Sequence, residues 1–341
     1  MKTALTVLIA TAGEPTLLRR ALDTLAACDK PASYRGAVIV ENGPKHSTAD
    51  VVRQYADSCG ARYLYHEPPN KCAALNYGLR RIQPGLVVFT DDDVRLDRNF
   101  LTAYANASAG IERGEFYGGP LEVDFEAEPP PAWLRRFLPK SCKGWRLEVS
   151  GRQEVKGAEF IGSNMAAFTA DLAAIGGFDP RLGPGETLIS CGDETDLQLR
   201  LLNHDVRGFY VSDAVIHHLA RKCVSSKQWV IDRMYRRSVA WGIRTAQQPG
   251  FLWNRYRPLL KEAEEEILKV TERREVKLCR TSKFLYHFTK ARWRGRWEGV
   301  RRGLWMSAWS ARKARRVARR DRDPIEIPDT IAFTQQRRKS A

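Results

Sequence analysis

Three carboxylates stand side by side at Asp91-Asp92-Asp93, directly after the apolar run Leu86-Val87-Val88-Phe89-Thr90. Such neighbours repel one another unless a hard cation neutralises them, and Mg2+ takes one or two carboxylates together with phosphate oxygens. The same triplet could equally be a solvated acidic turn that caps a following helix. A second acidic pair, Asp193-Glu194, opens a segment in which Leu197, Leu201 and Val206 can share one inward face. The helix dipole favours negative charge at that end, so capping is the simple reading. A carboxylate in a closed cleft is also the usual general base for removing a proton from an acceptor hydroxyl. Further on, His217-His218 ends a strand read from Gly208 to Ile216. Adjacent strand residues point to opposite faces, so at most one imidazole can join the acidic triplet. A lone histidine at a sheet edge serves structure as readily as it binds a metal.

The elements that must gather these groups are legible in the first hundred residues. Strands are expected at Leu5 to Ile9, Ala37 to Val40, Ala61 to Tyr65 and Leu86 to Thr90. Helices are expected at Thr16 to Ala27, Thr48 to Ser58 and Lys71 to Arg80. Continuous Val/Ile/Leu strands between helices imply a parallel sheet covered on both faces. Ligands bind such sheets outside the carboxyl ends of the strands. The polar residues that follow each strand, Thr11-Ala12-Gly13, Glu41-Asn42-Gly43, Glu67 and Asp91-Asp92-Asp93, therefore share the functional edge. From about 100 to 220 the pattern loosens. Glu128 to Trp133 reads as a rigid proline loop, Glu159 to Phe168 as a strand and 171–178 as a short helix ending in Gly176-Gly177-Phe178. Asp193 to Asn203 reads as a helix, and Gly208 to Val211 opens the last strand.

Taken in order, these segments resemble inverting glycosyltransferases of family 2, which have the GT-A fold of nucleotide-diphospho-sugar transferases. The resemblance rests on Val7 to Thr11 with Leu17 to Leu22; Val40-Glu41-Asn42-Gly43; Lys71 to Leu79; Val88 to Val94; Gly162 to Ala166; Gly176-Gly177-Phe178-Asp179; Gly192 to Leu197; and His218. It spans roughly residues 4 to 245, and eight weak motifs in one order and spacing make a specific signal. It implies an α/β GT-A fold with a mostly parallel sheet sandwiched by helices. It also implies a nucleotide-sugar donor, UDP-linked in the first instance, with transfer to an acceptor hydroxyl in glycan, polysaccharide or glycolipid synthesis. Thr11, Glu41 and Lys71 would line the nucleotide pocket with Asn42, Asn76 and Asp92, and Asp91 would contact the nucleoside. Asp93 would hold Mg2+ or Mn2+ on the diphosphate, with His218 as a second protein ligand. The family's base belongs to a Glu-Asp pair, and the order here is reversed. That places Glu194 at the base position, with Asp193 as its competitor. Glu41-Asn42-Gly43-Pro44 stands where the family commonly has aspartate and serine, which leaves the nucleobase, uracil or another, open.

The 341 residues are 43% hydrophobic and 28% charged, a globular composition with room for one large α/β domain or two modest ones. No run approaches the roughly 18 to 20 apolar residues of a membrane-spanning helix. The brief apolar start at Lys2 to Ala10 lacks a small-residue cleavage site and reads as a buried strand. Seven scattered cysteines without a C-x-x-C pair argue against both a disulfide framework and a zinc site, and fit a reducing cytoplasm. Charge is uneven: residues 1–219 carry 24 Lys+Arg against 28 Asp+Glu, whereas 220–341 carry 32 against 12. The expected division is a catalytic domain over 1–255, with a nucleotide half to 100 and an acceptor half to 220, then a basic Trp/Arg-rich helical extension over 256–341. Trp293 and Trp297, and again Trp305 and Trp309, share helical faces. Such a helix either lies on an anionic membrane surface, making the enzyme peripheral on the inner face, or packs its tryptophans on the domain. Basic residues interleaved with aromatics also suit nucleic acid. That reading ranks below, because an acidic cleft repels phosphates without a metal. A sugar nucleotidyltransferase is the nearer alternative, but Ala10 to Pro15 offers no Gly-rich, Lys/Arg-bearing loop for a triphosphate.

Overall fold

The computed structural model describes residues 3–185, 191–247 and 280–320. The first strand, β1 (Leu5–Thr11), is buried along its whole length because layers cover both its faces. Its side chains divide by parity: Val7 and Ile9 join one core cluster, Leu8 and Ala10 the other. Helix α1 (Pro15–Ala27) begins on a proline, where the helix needs no amide, and lays Leu18, Leu22 and Leu25 on the Val7 side. β2 (Tyr34–Asn42) and β3 (Ala61–His66) are joined through α2 (Thr48–Arg53) and α3 (Ala56–Cys59). The single helix expected over Thr48 to Ser58 is thus broken. Gln54 and Tyr55 turn their amides onto Val51 and Val52 at 3.1 and 3.0 Å, a tightened turn that ends α2. On the opposite face α4 (Lys71–Leu79) packs Cys72, Ala74 and Leu75 beneath Leu8, and β4 (Leu86–Asp91) completes four parallel strands.

The second half is mixed rather than parallel. β5 (Val94–Leu96) leads into α5 (Phe100–Ala107), then β6 (Glu115–Gly118) and β7 (Leu121–Phe125). Two single-turn helices, α6 (Ala132–Arg135) and α7 (Lys140–Lys143), precede β8 (Arg152–Val155) and β9 (Met165–Phe168). Helices α8 (Thr169–Ala174) and α9 (Asp193–Leu202) come before β10 (Arg207–Val211) and β11 (Ile216–Ala220). The main sheet runs β3-β2-β1-β4-β9-β6-β10-β8, and a small sheet, β5-β11-β7, stands beside it. β9 is antiparallel to both β4 and β6. A reversed strand presents its amino end where parallel neighbours present carboxyl ends, so the turn at Gly162–Asn164 reaches the same edge as Thr11 and Asp91.

Two strands expected here are shorter than their apolar runs. Of Glu159 to Phe168 only β9 is strand, because the Gln198 side chain takes both the amide and the carbonyl of Phe160 at 2.9 Å. A peptide so satisfied has nothing left for a ladder. The run from Gly208 to Ile216 is likewise two strands. Ala214 closes a turn onto the Val211 carbonyl at 3.2 Å, and β11 then pairs in the small sheet, antiparallel to β5 and parallel to β7.

Beyond the sheets, α10 (Lys227–Gln247) and α11 (Arg280–Arg320) pack along one another. Their contact is made by main chain: a methyl group on Gly299 would lie 2.2 Å from the Val239 carbonyl oxygen and 2.9 Å from Cα of Gly242. At its start α11 buries Phe284 and Phe288 against Leu134, Leu138 and Val230. The inner face of the basic extension therefore packs on the protein. The boundary expected at 255/256, Cys279 and the stretch from Asp321 lie outside the described residues, as does the side chain of Trp309. No helix among the described residues is long and apolar enough to cross a membrane.

Candidate active site

Thr11, Asn42 and Asp91 are the last residues of β1, β2 and β4, so the sheet itself aligns them. Asp92 and Asp93 form the turn between β4 and β5. No helix follows them, which removes the helix-capping reading of the triplet. Lys71 opens α4 and sets its Nζ 2.5 Å from Asp91 Oδ1. Thr11 donates its hydroxyl to Asp92 and accepts from the Gly13 amide at 3.2 Å. The small sheet delivers the histidine. Pairing of β11 with β5 sets His218 opposite Val94, and the Leu219 amide bonds the Asp93 carbonyl at 2.9 Å. His218 Nε2 thereby lies 3.6 Å from Asp93 Oδ2. His217 points the other way, to Asp97 at 2.9 Å and Glu122 at 3.5 Å, as strand alternation requires.

Asp193 and Glu194 begin α9, whose Leu197 and Leu201 are fully buried under the Leu8 face of the sheet. Gly192, with φ +88°, turns the chain into the helix in a conformation that favours glycine, and has no side chain with which to cap it. Asp193 is the more enclosed, packed where any side chain at Gly183 would meet both it and the Cys72 sulfur. Glu194 is half-buried beside Gly162, the turn that the reversed strand brings to this edge.

Crowded acids shape the electrostatics. Burial, opposed by the Thr11 hydroxyl and assisted by Asp93 and Asp91, pushes the Asp92 carboxyl up to about 7. Burial also raises Asp93, while His218 pulls it back. Glu194 is pushed up to about 7, first by burial and then by the Asp193 charge and the hydrogen bond between them. For Lys71 burial alone would lower the pKa, but Asp91 and Asp193 more than reverse this and hold the ammonium above its ordinary value. One lysine thus links the two acidic groups.

Asp93 Oδ1 and His218 Nδ1 are among the buried atoms that have no hydrogen-bond partner, as are the nearby hydroxyls of Thr90 and Ser163. Such orphans are costly unless another group completes them. A carboxylate and an imidazole in reach of one another fit Mn2+ or Mg2+. Among the described residues no three His, Cys, Asp or Glu side chains converge to hold a metal, so a cation here needs oxygens from a ligand.

Other expected residues are occupied locally. Glu41, fully buried, accepts from the His46 amide at 2.9 Å, the Thr48 hydroxyl at 2.6 Å and the Tyr63 hydroxyl. Asn42 ties β2 to the Thr11 carbonyl at 2.8 Å. Asn76 donates to the Phe178 carbonyl at 2.8 Å and accepts its amide at 2.9 Å, and it lines a separate apolar cavity with Leu79, Ile82 and Leu172. The structure thus does not gather Asn76 with the acids, and Glu67 is exposed. Sequence reasoning missed Arg221, which reaches Glu14 at 2.6 Å and lowers the pKa of Asp93 from beside it. The only signal available was a single cation three residues beyond His218. It also missed Arg244 of α10, whose guanidinium donates to the Gly192 carbonyl at 3.3 Å.

A largely parallel first half, an acidic edge at its carboxyl ends and a small flanking sheet define the GT-A class of nucleotide-sugar transferases. The fold agrees with TarS 1–349 of S. aureus in complex with UDP-GlcNAc, at TM-score 0.50 and 14% identity over 69% of this chain and 66% of that one. The match therefore spans just under two thirds of that relative. It agrees also with the mannosyltransferase PcManGT of Pyrobaculum calidifontis in complex with GDP-Man and Mn2+, at TM-score 0.53 and 17% identity over 89% of this chain and 88% of that one. The model of the family described as Glycosyltransferase like family 2 matches residues 3–240, and the chain belongs to that family. Comparison with curated protein sequences gives no significant match.

Proposed function

We propose that this glycosyltransferase moves a sugar from a UDP-linked donor to an acceptor hydroxyl, with inversion and with the help of Mg2+ or Mn2+. The observation that carries the reading is the meeting of Asp91-Asp92-Asp93 and His218 with Asp193-Glu194 at one sheet edge, bridged by Lys71. Thr11, Asn42, Lys71, Asp91 and Asp92 form the donor side, with Glu41 holding the loop after β2. Asp93 and His218 would hold the cation, which when bound neutralises the departing diphosphate as a Lewis acid, a contribution of several kcal/mol. Glu194 takes the acceptor's proton. The acceptor oxygen then attacks the anomeric carbon from the face opposite the diphosphate, forming one C–O bond as the other breaks, and the diphosphate leaves with the electron pair. Lys71 and Arg221 are the two cations placed to steady the negative charge that leaves. Enclosing and aligning the reactants supplies the remaining acceleration. The two relatives, one in complex with UDP-GlcNAc and the other with GDP-Man and Mn2+, support a nucleotide-sugar donor and a divalent cation.

The acceptor in this reading is a glycan or lipid-linked sugar, and the basic extension keeps the enzyme peripheral on the inner face of a membrane. A thermal-shift panel of UDP-, GDP-, dTDP- and CMP-linked sugars with and without Mn2+ tests the donor. A specific ligand raises apparent stability by mass action, by about 2.7 kcal/mol at a hundred times its Kd. The expected result is a shift with a UDP-sugar that requires Mn2+. Absence of a shift with every sugar nucleotide refutes the reading, and a shift with another nucleotide alone moves the donor.

A further inference from the structure

Along α11 the exposed and buried positions alternate with helical period. Gly295, Gly299, Val300 and Gly303 face α10 and are buried. Trp297, Arg301, Leu304 and Trp305 are exposed on the opposite side, and Lys290 and Arg294 are exposed along its flank, where they border a groove with Gln228, Asp232 and Tyr235 of α10. Scattered single apolar residues on a surface need no explanation, but a cluster does. Of the four large hydrophobic side chains exposed among the described residues, Trp297 at 38%, Leu304 at 39% and Trp305 at 66% all lie on this one face. Of the acidic residues near it, Glu298 is held by Arg302 at 2.9 Å and Arg301 at 3.7 Å, and Asp232, in the groove beside Lys290 and Arg294, accepts from the Gln228 side chain at 2.8 Å. Beyond the face the sequence continues Arg312-Lys313-Ala314-Arg315-Arg316. A glycine-mediated back fixes the orientation, because α10 cannot be separated from α11 without losing the main-chain contact at Gly299 and Gly242.

We propose that this outer face of α11 lies flat on an anionic phospholipid bilayer. Trp297, Leu304 and Trp305 enter the boundary between headgroups and acyl chains, while Lys290, Arg294 and Arg301 meet lipid phosphates. An amphipathic helix with apolar area on one side and arginines around it binds in this way, helped by attraction to anionic lipid. Charge complementarity selects the partner: the surplus of 32 basic over 12 acidic residues in 220–341 is suited to a negative sheet. The inference deepens the peripheral reading above and rests on it, but it does not rest on the transfer reaction.

Its test uses the full chain and sucrose-loaded vesicles, either pure phosphatidylcholine or phosphatidylcholine with phosphatidylglycerol, sedimented at low and high salt. The paired variants are Leu304→Glu with Trp305→Glu, and Arg294→Glu with Arg301→Glu. All four side chains are exposed, and thermal melts verify that each variant folds. Wild-type protein is expected to sediment with phosphatidylglycerol vesicles only, less so at high salt. Each paired variant should bind at least about tenfold more weakly, since it sets two negative charges against an anionic surface. Wild-type sedimentation that both variants retain overturns the assignment of this face while leaving a membrane partner standing. No sedimentation of the wild type overturns both. In that event, light scattering that turns from dimer to monomer in the variants assigns the face to a second copy. A salt-sensitive shift with single-stranded RNA assigns it to nucleic acid.

Discussion

Replacing Glu194 by glutamine isolates the proton transfer, and the surroundings of this residue set the size of the effect. Burial and the neighbouring Asp193 charge move its carboxyl from 4.5 to about 7. Both causes favour the protonated acid, so a base at this position is competent above about pH 7 and is lost as pH falls through that value. The ionised fraction is about nine-tenths at pH 8, a half at pH 7 and a tenth at pH 6, so kcat/KM should fall roughly tenfold from pH 8 to pH 6. An ordinary glutamate would change by less than about 5% over the same span. Glu194→Gln keeps the shape but removes the basic oxygen, and turnover should drop by about 10²- to 10⁴-fold with donor binding nearly intact. The residual rate should be flat between pH 6 and 8. Asp92, also near 7, is the competing origin of such a limb. Asp92→Asn should therefore retain it. A radiolabelled-donor product assay across pH, beside calorimetry of UDP with Mn2+, measures each quantity. A limb that survives in Glu194→Gln, or turnover within about threefold of wild type, refutes the assignment. A dead Asp193→Asn enzyme beside an active Glu194→Gln one moves the base to Asp193.

Asp93→Asn should weaken Mn2+-dependent UDP binding at least about tenfold, as even indirect damage to a metal site does. His218→Ala should do likewise and His217→Ala should not, and calorimetry showing equal Kd values for all three would remove the cation from this edge. Asn76→Ala strands both the amide and the carbonyl of Phe178, so it should cost about 1–3 kcal/mol in chemical denaturation while leaving UDP affinity unchanged. Lost affinity at unchanged stability would return Asn76 to the nucleotide pocket.

The sequence disclosed the half of the fold that is built from long, doubly buried strands. The largely apolar stretches Leu5 to Ala10, Ala37 to Val40 and Leu86 to Phe89 announced β1, β2 and β4 and drew attention to the polar residues that end them, Thr11, Asn42 and Asp91, although β2 runs beyond its apolar stretch at both ends, from Tyr34 to Asn42. The second half uses strands of three to five residues, such as β5 and the polar edge strand β8, whose patterns are too short to separate from loops. What hid the ends of β9 and β10 was side-chain capture of main chain by Gln198 and a turn at Ala214, neither of which leaves a periodicity. The acidic site was visible because charge at a strand end is conspicuous. Its finer sorting was not: Asn76 and Lys71 share one helix, yet Lys71 faces Asp91 whereas Asn76 clamps Phe178. Arg221 escaped because its partner, Glu14, lies some two hundred residues earlier.

The insertion of β9 between β4 and β6 has a consequence for the chain while it is being made. β4 finds one neighbour, β1, among residues already synthesised, but its other edge belongs to Met165–Phe168. About 70 residues must emerge before that edge can pair, roughly 4 to 14 s at ordinary elongation rates of about 5–20 residues per second. Throughout that interval a buried-to-be strand reading Leu-Val-Val-Phe presents unpaired amides and carbonyls. Edges of this kind template association with other chains, so the nascent protein is most vulnerable to aggregation between β4 and β9, well before the residues of its chemistry have met.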